Sequence, residues 1–323
     1  NAITGMNFQA DFLWIKQRDS TNSHAWTDSL RGTTKVLTSN ASSSEYTYTN
    51  GLQSFDSDGF TLNGNNGWYN SSTTRNYVAW GWLAGTAFSN DASATGVGTI
   101  DSEGQVNTTA GFSIIKYSGS SSAGSFAHGL SAAPEFIIIK QRTTTGNWVV
   151  AASVTNWTWS SDYLLLETTG AKATNGGSSL FTSAPSSTVV NIGGGSLTST
   201  AGQDLIAYCF HSVEGYSKVG SYIGNGNADG PMVFTGFRPA WIMQKKSNNT
   251  GHWHIWDSTR NTSNEVTRYL SADDTSAEAT DGGLDILSNG FKPRKTGSGL
   301  NASGDTYIYL AFASQPFKFS NAF

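Results

Sequence analysis

The sequence has one cysteine, six prolines and few charges, and each shortage removes a class of explanation. A single thiol, Cys209, permits neither a disulfide within the chain nor a thiolate metal site, and its setting in Ala207-Tyr208-Cys209-Phe210 reads as small apolar core filler. Only 13% of the residues are charged, the net charge is −4, and basic residues go no further than pairs such as Lys245-Lys246. The electrostatic footprint of nucleic-acid binding is therefore missing. No apolar run approaches the roughly 20 residues of a spanning helix, so no membrane insertion and a soluble chain are expected. No basic start followed by an apolar core marks a secretion signal, and a first residue Asn rather than Met points to a processed or incomplete product. No stretch sustains an apolar period of 3.6, so helices should be scarce. There is no Gly-x-Ser-x-Gly elbow, and Gly224-Asn225-Gly226-Asn227-Ala228-Asp229-Gly230 lacks the phosphate-loop lysine and a following helix. No enzyme chemistry is nominated, although paired carboxylates for glycoside hydrolysis have no local motif and stay open at this level.

What remains is a chain rich in Ser, Thr, Asn and Gly, with 36 glycines and 12% aromatic residues, which solvates itself with neutral polar groups and favours pleated sheet. One phrase organises it. Gly236 to Arg260 reads GFRPAWIMQKKSNNTGHWHIWDSTR, an apolar strand, an Asn/Gly turn and an aromatic strand, which is a β-hairpin pattern. Asp11 to Arg31 and Pro134 to Val150 repeat it, making Lys16, Lys140 and Lys245 equivalent. A second landmark follows each lysine: strands ending at Trp80, Tyr208 and Leu310, at offsets of 64, 68 and 65 residues. Constant internal spacing is the mark of true repeats.

The expected fold is all-β, as three tandem antiparallel β-sandwich modules of jelly-roll or concanavalin-like type with very little helix. The modules are placed at 1–109, 110–214 and 215–323, each long enough for its own core. Lys16 to Lys140 is 124 residues against 105 from Lys140 to Lys245, and the small polar segment Gly85 to Asn107 fills the difference. Residues 85–109 are expected to be a linker arm rather than a packed element. In the lead strand Phe12 and Trp14 face one side and Leu13 and Ile15 the other, so both faces are apolar. A sandwich core covers one, and loops, a sister module or another subunit must cover the other. Modules two and three open with Gly111-Phe112-Ser113 and Gly215-Tyr216-Ser217, and module one has no counterpart. Its lead strand is expected to present an unpaired edge filled by a strand from a neighbouring subunit. A competing parse assigns each such strand to the end of the preceding module, with Phe317-Lys318-Phe319-Ser320 as a truncated third copy. The apolar tail Gln315 to Phe319 is expected to dock on a sheet or a partner.

Four indoles, Trp26, Trp68, Trp157 and Trp253, are candidate platforms for sugar rings, against core packing as the plainer alternative. Asp28/Arg31 and Asp257/Arg260 read as charge-assisted staples of their own loops; Ala152 and Thr155 stand in their place in module two, so the pair is dispensable to the fold. His252 and His254 share one strand face at a spacing usable for metal, but no third ligand accompanies them, and a structural or stacking role is preferred; only His24 stands nearby in module one, at the Trp253 position. Asp273, Asp274, Asp281 and Asp285 offer oxygen ligands for calcium without an EF-hand pattern, and a solvated acidic loop is preferred; no other cofactor is indicated. Seven Asn-x-Ser/Thr sequons follow from the composition.

The lead strand with its lysine, the Trp eight residues later in modules two and three, Asp-Ser-x-Arg, Asn-Gly-Phe and the ending Tyr307 to Phe319 resemble modules of virion structural and tail-fibre proteins of tailed bacteriophages, marine ones especially. The resemblance implies concanavalin- or laminin-G-like sandwiches and a non-enzymatic component of the virion surface. Its partners would be copies of itself, other virion proteins and a host-surface glycan. A carbohydrate-binding or glycan-cleaving protein is the alternative.

Overall fold

The computed structural model describes residues 1–314 apart from 65, 72, 73, 175, 177, 178 and 298; the expected docking of the tail Gln315 to Phe319 lies outside them. The protein is all-β, of the β-sandwich class, with antiparallel ladders and two four-residue helices, Ala92–Thr95 and Ser196–Ser199.

The repeated phrase builds the same three strands each time. Phe12–Gln17 lies between Ala25–Asp28 and Tyr77–Trp82, Phe136–Gln141 between Val149–Ala152 and Asp204–Phe210, and Pro239–Lys246 between Trp253–Asp257 and Thr306–Ala313. The registers agree to the residue, with Trp14 opposite Trp80, Ile138 opposite Tyr208 and Met243 opposite Leu310.

Two apolar faces per lead strand are explained by two cores. Leu13 and Ile15 enter a cluster private to the first repeat, Ile137 and Ile139 one in the second, and Ile242 one in the third. Their alternates, Phe12 and Trp14, Phe136 and Ile138, Trp241 and Met243, all enter one shared cluster drawn from every repeat. The sister repeats, not another subunit, cover the second face. Because the pleat has period two, a one-residue slip would exchange the two cores, which pins the register.

Two expectations need correction. The segment 85–109 is not a linker arm: Thr86–Asn90 and Ser102–Asn107 pair with each other, and Ser102–Asn107 extends the sheet of the second repeat beside Phe112–Ser118. Ser102, Gly104 and Val106 are its buried face, and residues that small give almost no apolar signal in sequence. Nor is the lead strand of the first repeat an edge. Phe12–Gln17 is bonded on both sides within its own repeat, so no strand is donated to it. Among the described residues Tyr77–Trp82 pairs with Phe12–Gln17 alone.

Glycine is demanded where a short strand crosses a tight turn. In Asp58-Gly59 and Asn289-Gly290 a Cβ would stand 2.0 Å from the carbonyl oxygens of Ile3 and Val233, the strands lying across those turns.

Candidate functional site

The equivalent residues meet the other repeats at three junctions, each made by a loop of one repeat lying on the hairpin of the next. The loop 38–45 of the first repeat lies on the second, 165–172 of the second on the third, and 271–278 of the third on the first. Backbone bonds repeat at each. The amides of Gly146, Gly251 and Asn22 donate to the carbonyls of Ser42, Thr169 and Thr275 at 2.8, 2.9 and 3.0 Å. The amides of Glu45, Lys172 and Glu278 donate to the carbonyls of Arg142, Ser247 and Arg18 at 2.8, 2.6 and 2.7 Å. The contacts run one to two, two to three and three to one, a heterologous set that closes on itself as in a threefold ring, but within one chain.

Side chains complete the pattern. Trp148 Nε1 donates to the carbonyls of Thr38 and Ala41 at 3.0 and 3.1 Å, and Trp253 Nε1 to that of Leu165 at 3.0 Å. His24 does the same at the first hairpin. Its Nδ1 accepts from Trp14 Nε1 at 2.8 Å, which leaves Nε2 as the donor to the carbonyl of Ser271 at 2.9 Å. Burial holds the His24 pKa well below its usual value, so the ring is neutral, as this pairing requires.

The three lysines sit at 0% exposure beneath these loops. Lys140 Nζ reaches the carbonyls of Gln141 and Ser42 at 2.7 and 3.3 Å; Lys245 Nζ reaches that of Thr169 at 2.9 Å; Lys16 Nζ bonds Gln17 and Ser20 of its own hairpin at 2.6 and 3.3 Å. Burial lowers all three to a pKa of about 8, opposed by nearby carboxylates such as Asp274 for Lys16 and Glu167 for Lys140.

A polar cluster occupies two junctions only. Arg31 donates through Nε to Asp28 at 2.6 Å, through Nη1 to Glu45 at 3.1 Å and through Nη2 to the Trp26 carbonyl at 3.0 Å. Arg260 repeats this with Asp257 at 2.5 Å, Glu278 at 3.0 Å and the Ile255 carbonyl at 3.0 Å. Each pair staples its loop and also meets another repeat: the Tyr208 hydroxyl donates to Asp28 at 2.8 Å, and Trp80 Nε1 donates to Asp257 at 3.1 Å. Arg142 and Arg18 add bonds to Glu45 and Glu278 from the hairpins beneath. Burial pushes both glutamates up, but the arginine hydrogen bonds and charges outweigh it and hold both below the usual carboxylate range. At the third junction every member is replaced at once. Ala152 and Thr155 stand for the Asp and Arg, Leu310 for Tyr208 and Trp80, Ser247 for the hairpin Arg, and Lys172 for the Glu. Ala152 and Leu310 both lie in the shared apolar core.

The sugar-platform candidates are not brought together. Trp26 and Trp253 are 1% exposed and belong to the shared core, a correction that follows from its being walled by the hairpins. Trp68 is half-buried against Tyr46 and Tyr48. Trp157 alone borders an open groove, of about 450 Å³, with Trp159, Glu135, Lys218 and Tyr309. The calcium candidates are dispersed among other partners. Asp273 accepts from His252 Nδ1 and the Trp253 amide, Asp274 from the Ser276 amide, and Asp281 and Asp285 pair with Lys295 and Arg294. Among the described residues no group of three or more His, Cys, Asp or Glu is arranged to hold a metal ion.

The family described as Domain of unknown function (DUF7483) matches residues 1–316. The chain belongs to that family. No curated protein and no solved structure matches it. Glu45, Glu278, Trp80 and Tyr208 escaped sequence reasoning as partners of the Asp-Arg pairs; the available signal was that Ala152 coincides with Leu310.

Proposed function

We propose that the protein is a non-enzymatic structural component of a bacteriophage particle, a capsid-decorating or tail-fibre protein exposed on the virion surface and associating with copies of itself and other virion proteins. One observation carries this reading: the residues that recur with the repeat, which in an enzyme would be free to meet a substrate, are engaged in locking one repeat to the next. The lysines, the indoles, His24 and both Asp-Arg pairs are bonded within or across the junctions. A chain built this way suits a load-bearing part, and the resemblance of its phrases to virion modules supplies the setting. The test is mass spectrometry and antibody labelling of gradient-purified particles. The reading predicts stoichiometric recovery with surface labelling, and particles that keep every projection and full decoration without this chain would sink it.

A second reading rests on the Trp157 groove, where half-buried indoles beside Glu135 and Lys218 form a polar cleft of a size to take a sugar. Titration of host polysaccharide against the protein and Trp157→Ala decides it, because binding that survives the substitution, or no binding at all, removes the groove from consideration.

A further inference from the structure

The groove beside Trp157 lies at the one junction without the ion network. Glu135, Ser153, Thr155 and Trp157 of the second repeat line it together with Lys218 and Ser221 of the third, around a volume of about 450 Å³, which is within the range of small-ligand sites. Thr155 is exposed and stands where Arg31 and Arg260 are each 8% exposed, so the position that holds the network elsewhere is here part of a groove wall.

The first repeat shows the same positions closed. The amides of Ser29 and Ser153 donate to the carbonyls of Asp11 and Glu135 at 2.8 and 2.6 Å, which makes these residues equivalent. Asp11 is 4% exposed and accepts from the Ala84 and Gly85 amides at 2.9 and 2.7 Å and from the Ser29 hydroxyl at 2.7 Å. Ser29 Oγ also lies 2.5 Å from Gln105 Oε1. In the second repeat Glu135 keeps one bond of that set, from the Ser212 amide to Oε2 at 2.6 Å. The Ser153 hydroxyl, like those of Thr155 and Ser221, has no hydrogen-bond partner among the described residues.

Lys218 gives the groove its sign. Each of the other lysines among the described residues places its ammonium on a carbonyl, a hydroxyl or a carboxylate, and the half-buried Lys218 alone meets none. The carboxylate that shares the groove, Glu135, is engaged by the Ser212 amide and forms no ion pair with it. An unmatched cation therefore stands beside an indole and free hydroxyls, the complement of a ring with an apolar face, hydroxyl groups and one carboxylate. The indole is held in place from within its own repeat, since Lys172 Nζ lies 5.5 Å over the Trp157 ring and is anchored by Asp162.

We propose that this groove takes a carboxylated pyranose, a hexuronate residue of an acidic glycan, with its carboxylate on Lys218, its ring against the exposed part of Trp157 and its hydroxyls on Glu135, Ser153 and Thr155. The inference rests on the sugar reading of the groove and names the ligand class. It is tested by calorimetric titration of the full chain with oligogalacturonates and with neutral cello-oligosaccharides of the same length, in the unaltered protein, Lys218→Met and Thr155→Glu. The Lys218 head group makes no bond and Thr155 is exposed, so neither substitution removes a contact that the fold uses. Oligogalacturonates should bind the unaltered protein roughly tenfold tighter than the neutral oligomers, and each substitution should weaken the acidic ligand by roughly the same factor while leaving the neutral one unchanged. Equal affinity for the two classes, or acidic binding unmoved by both substitutions, overturns the hexuronate assignment and leaves the sugar reading standing. Binding of neither class overturns both.

Discussion

Two junctions in this molecule carry an Asp-Arg-Glu network and one does not, although all three share the same backbone bonds. The junctions from the first repeat to the second and from the third to the first join a buried Asp-Arg pair to a partly buried Glu, a second, partly exposed Arg and a Tyr or Trp donor. The junction from the second to the third carries Ala152, Thr155, Leu310, Ser247 and Lys172 in those places. Half-replaced versions are absent. The physical reason is that a buried ion network is tolerable only when complete: its desolvation cost is fixed, and removing one member leaves the rest unpaired in a low dielectric. The junction from the second repeat to the third avoids that network: Ala152 and Leu310 pack in the shared core, Thr155 is exposed, and Lys172 pairs with Asp162 of its own repeat. The Asp-Arg pair is therefore dispensable only as part of a larger exchange.

The sharpest way to break this comparison is to remove one member. Asp28 and Arg31 have side chains at 0% exposure, so Asp28→Ala should cost about 3–5 kcal/mol by leaving Arg31 and the Tyr208 hydroxyl short of an acceptor. Adding Arg31→Thr and Tyr208→Leu, which installs the residues of the junction that lacks the network, should recover part of that loss. Denaturant unfolding measures both proteins, and losses that simply add across the three substitutions would refute the claim that the set acts as a unit.

The lysines, unlike the ion network, are common to all three junctions, and their titration should not distinguish them. Each has its folded pKa lowered from 10.5 to about 8 by burial. Between those values the unfolded chain binds more protons than the folded one, so stability rises with pH from about 8 toward 10. Below 8 the penalty of a buried charge is fully present. Above pH 10 the buried tyrosines, Tyr208 among them, hold protons that the unfolded chain loses, which reverses the trend. Each lysine contributes on the order of 1–3 kcal/mol to the rise. Lys140→Met should flatten the denaturation midpoint against pH by about a third, and an unchanged slope would show that Lys140 stays charged when folded.

Acid acts at all three junctions, since Asp162, against the upward push of burial, is held below the usual carboxylate range by its bonds to Lys172 and the Thr158 amide, but the two glutamate junctions hold the larger networks and should yield first. Glu45 and Glu278 have folded pKa values below the ordinary 4.5, so their stabilisation is present above that pH and is lost as pH falls through the lowered value. Hydrogen exchange corrected for intrinsic rate should show the loops 38–45 and 271–278 opening before 165–172 as pH is lowered below 4. Simultaneous opening of all three would contradict the division into two classes.

The repeats were legible in sequence because a strand bearing an aromatic row and a buried lysine keeps its spacing. The two-faced lead strand likewise announced a second core, and only its source was open. The junctions were not legible. The loops act mainly through the carbonyls of Thr38, Leu165 and Ser271 and the amides of Glu45, Lys172 and Glu278, and backbone groups leave no residue signature. Trp253 and Trp26 looked like platforms because a strand of indoles reads alike whether its second face meets water or a sister sheet. His24 carried a clue in standing at the Trp253 position, since both side chains donate one N–H in the same direction.

The smallest expected effect concerns the hairpin arginines. Arg18 and Arg142 are partly exposed, at 23% and 16% of their side chains, so each bond to Glu278 or Glu45 is screened by water and supported by a second arginine beneath. Arg18→Ser and Arg142→Ser, which copy Ser247, should each cost about 1 kcal/mol or less. Because Arg260 and Arg31 keep their glutamates paired, neither change strands a buried charge, which separates these two from Asp28→Ala. The two arginines act at different junctions with no partner in common, so the double variant should lose the sum of the two within about 0.5 kcal/mol. A larger departure from additivity would mean that strain at one junction is passed around the ring to another, and the three would then have to be treated as one cooperative closure rather than as separate locks, two with the ion network and one without it.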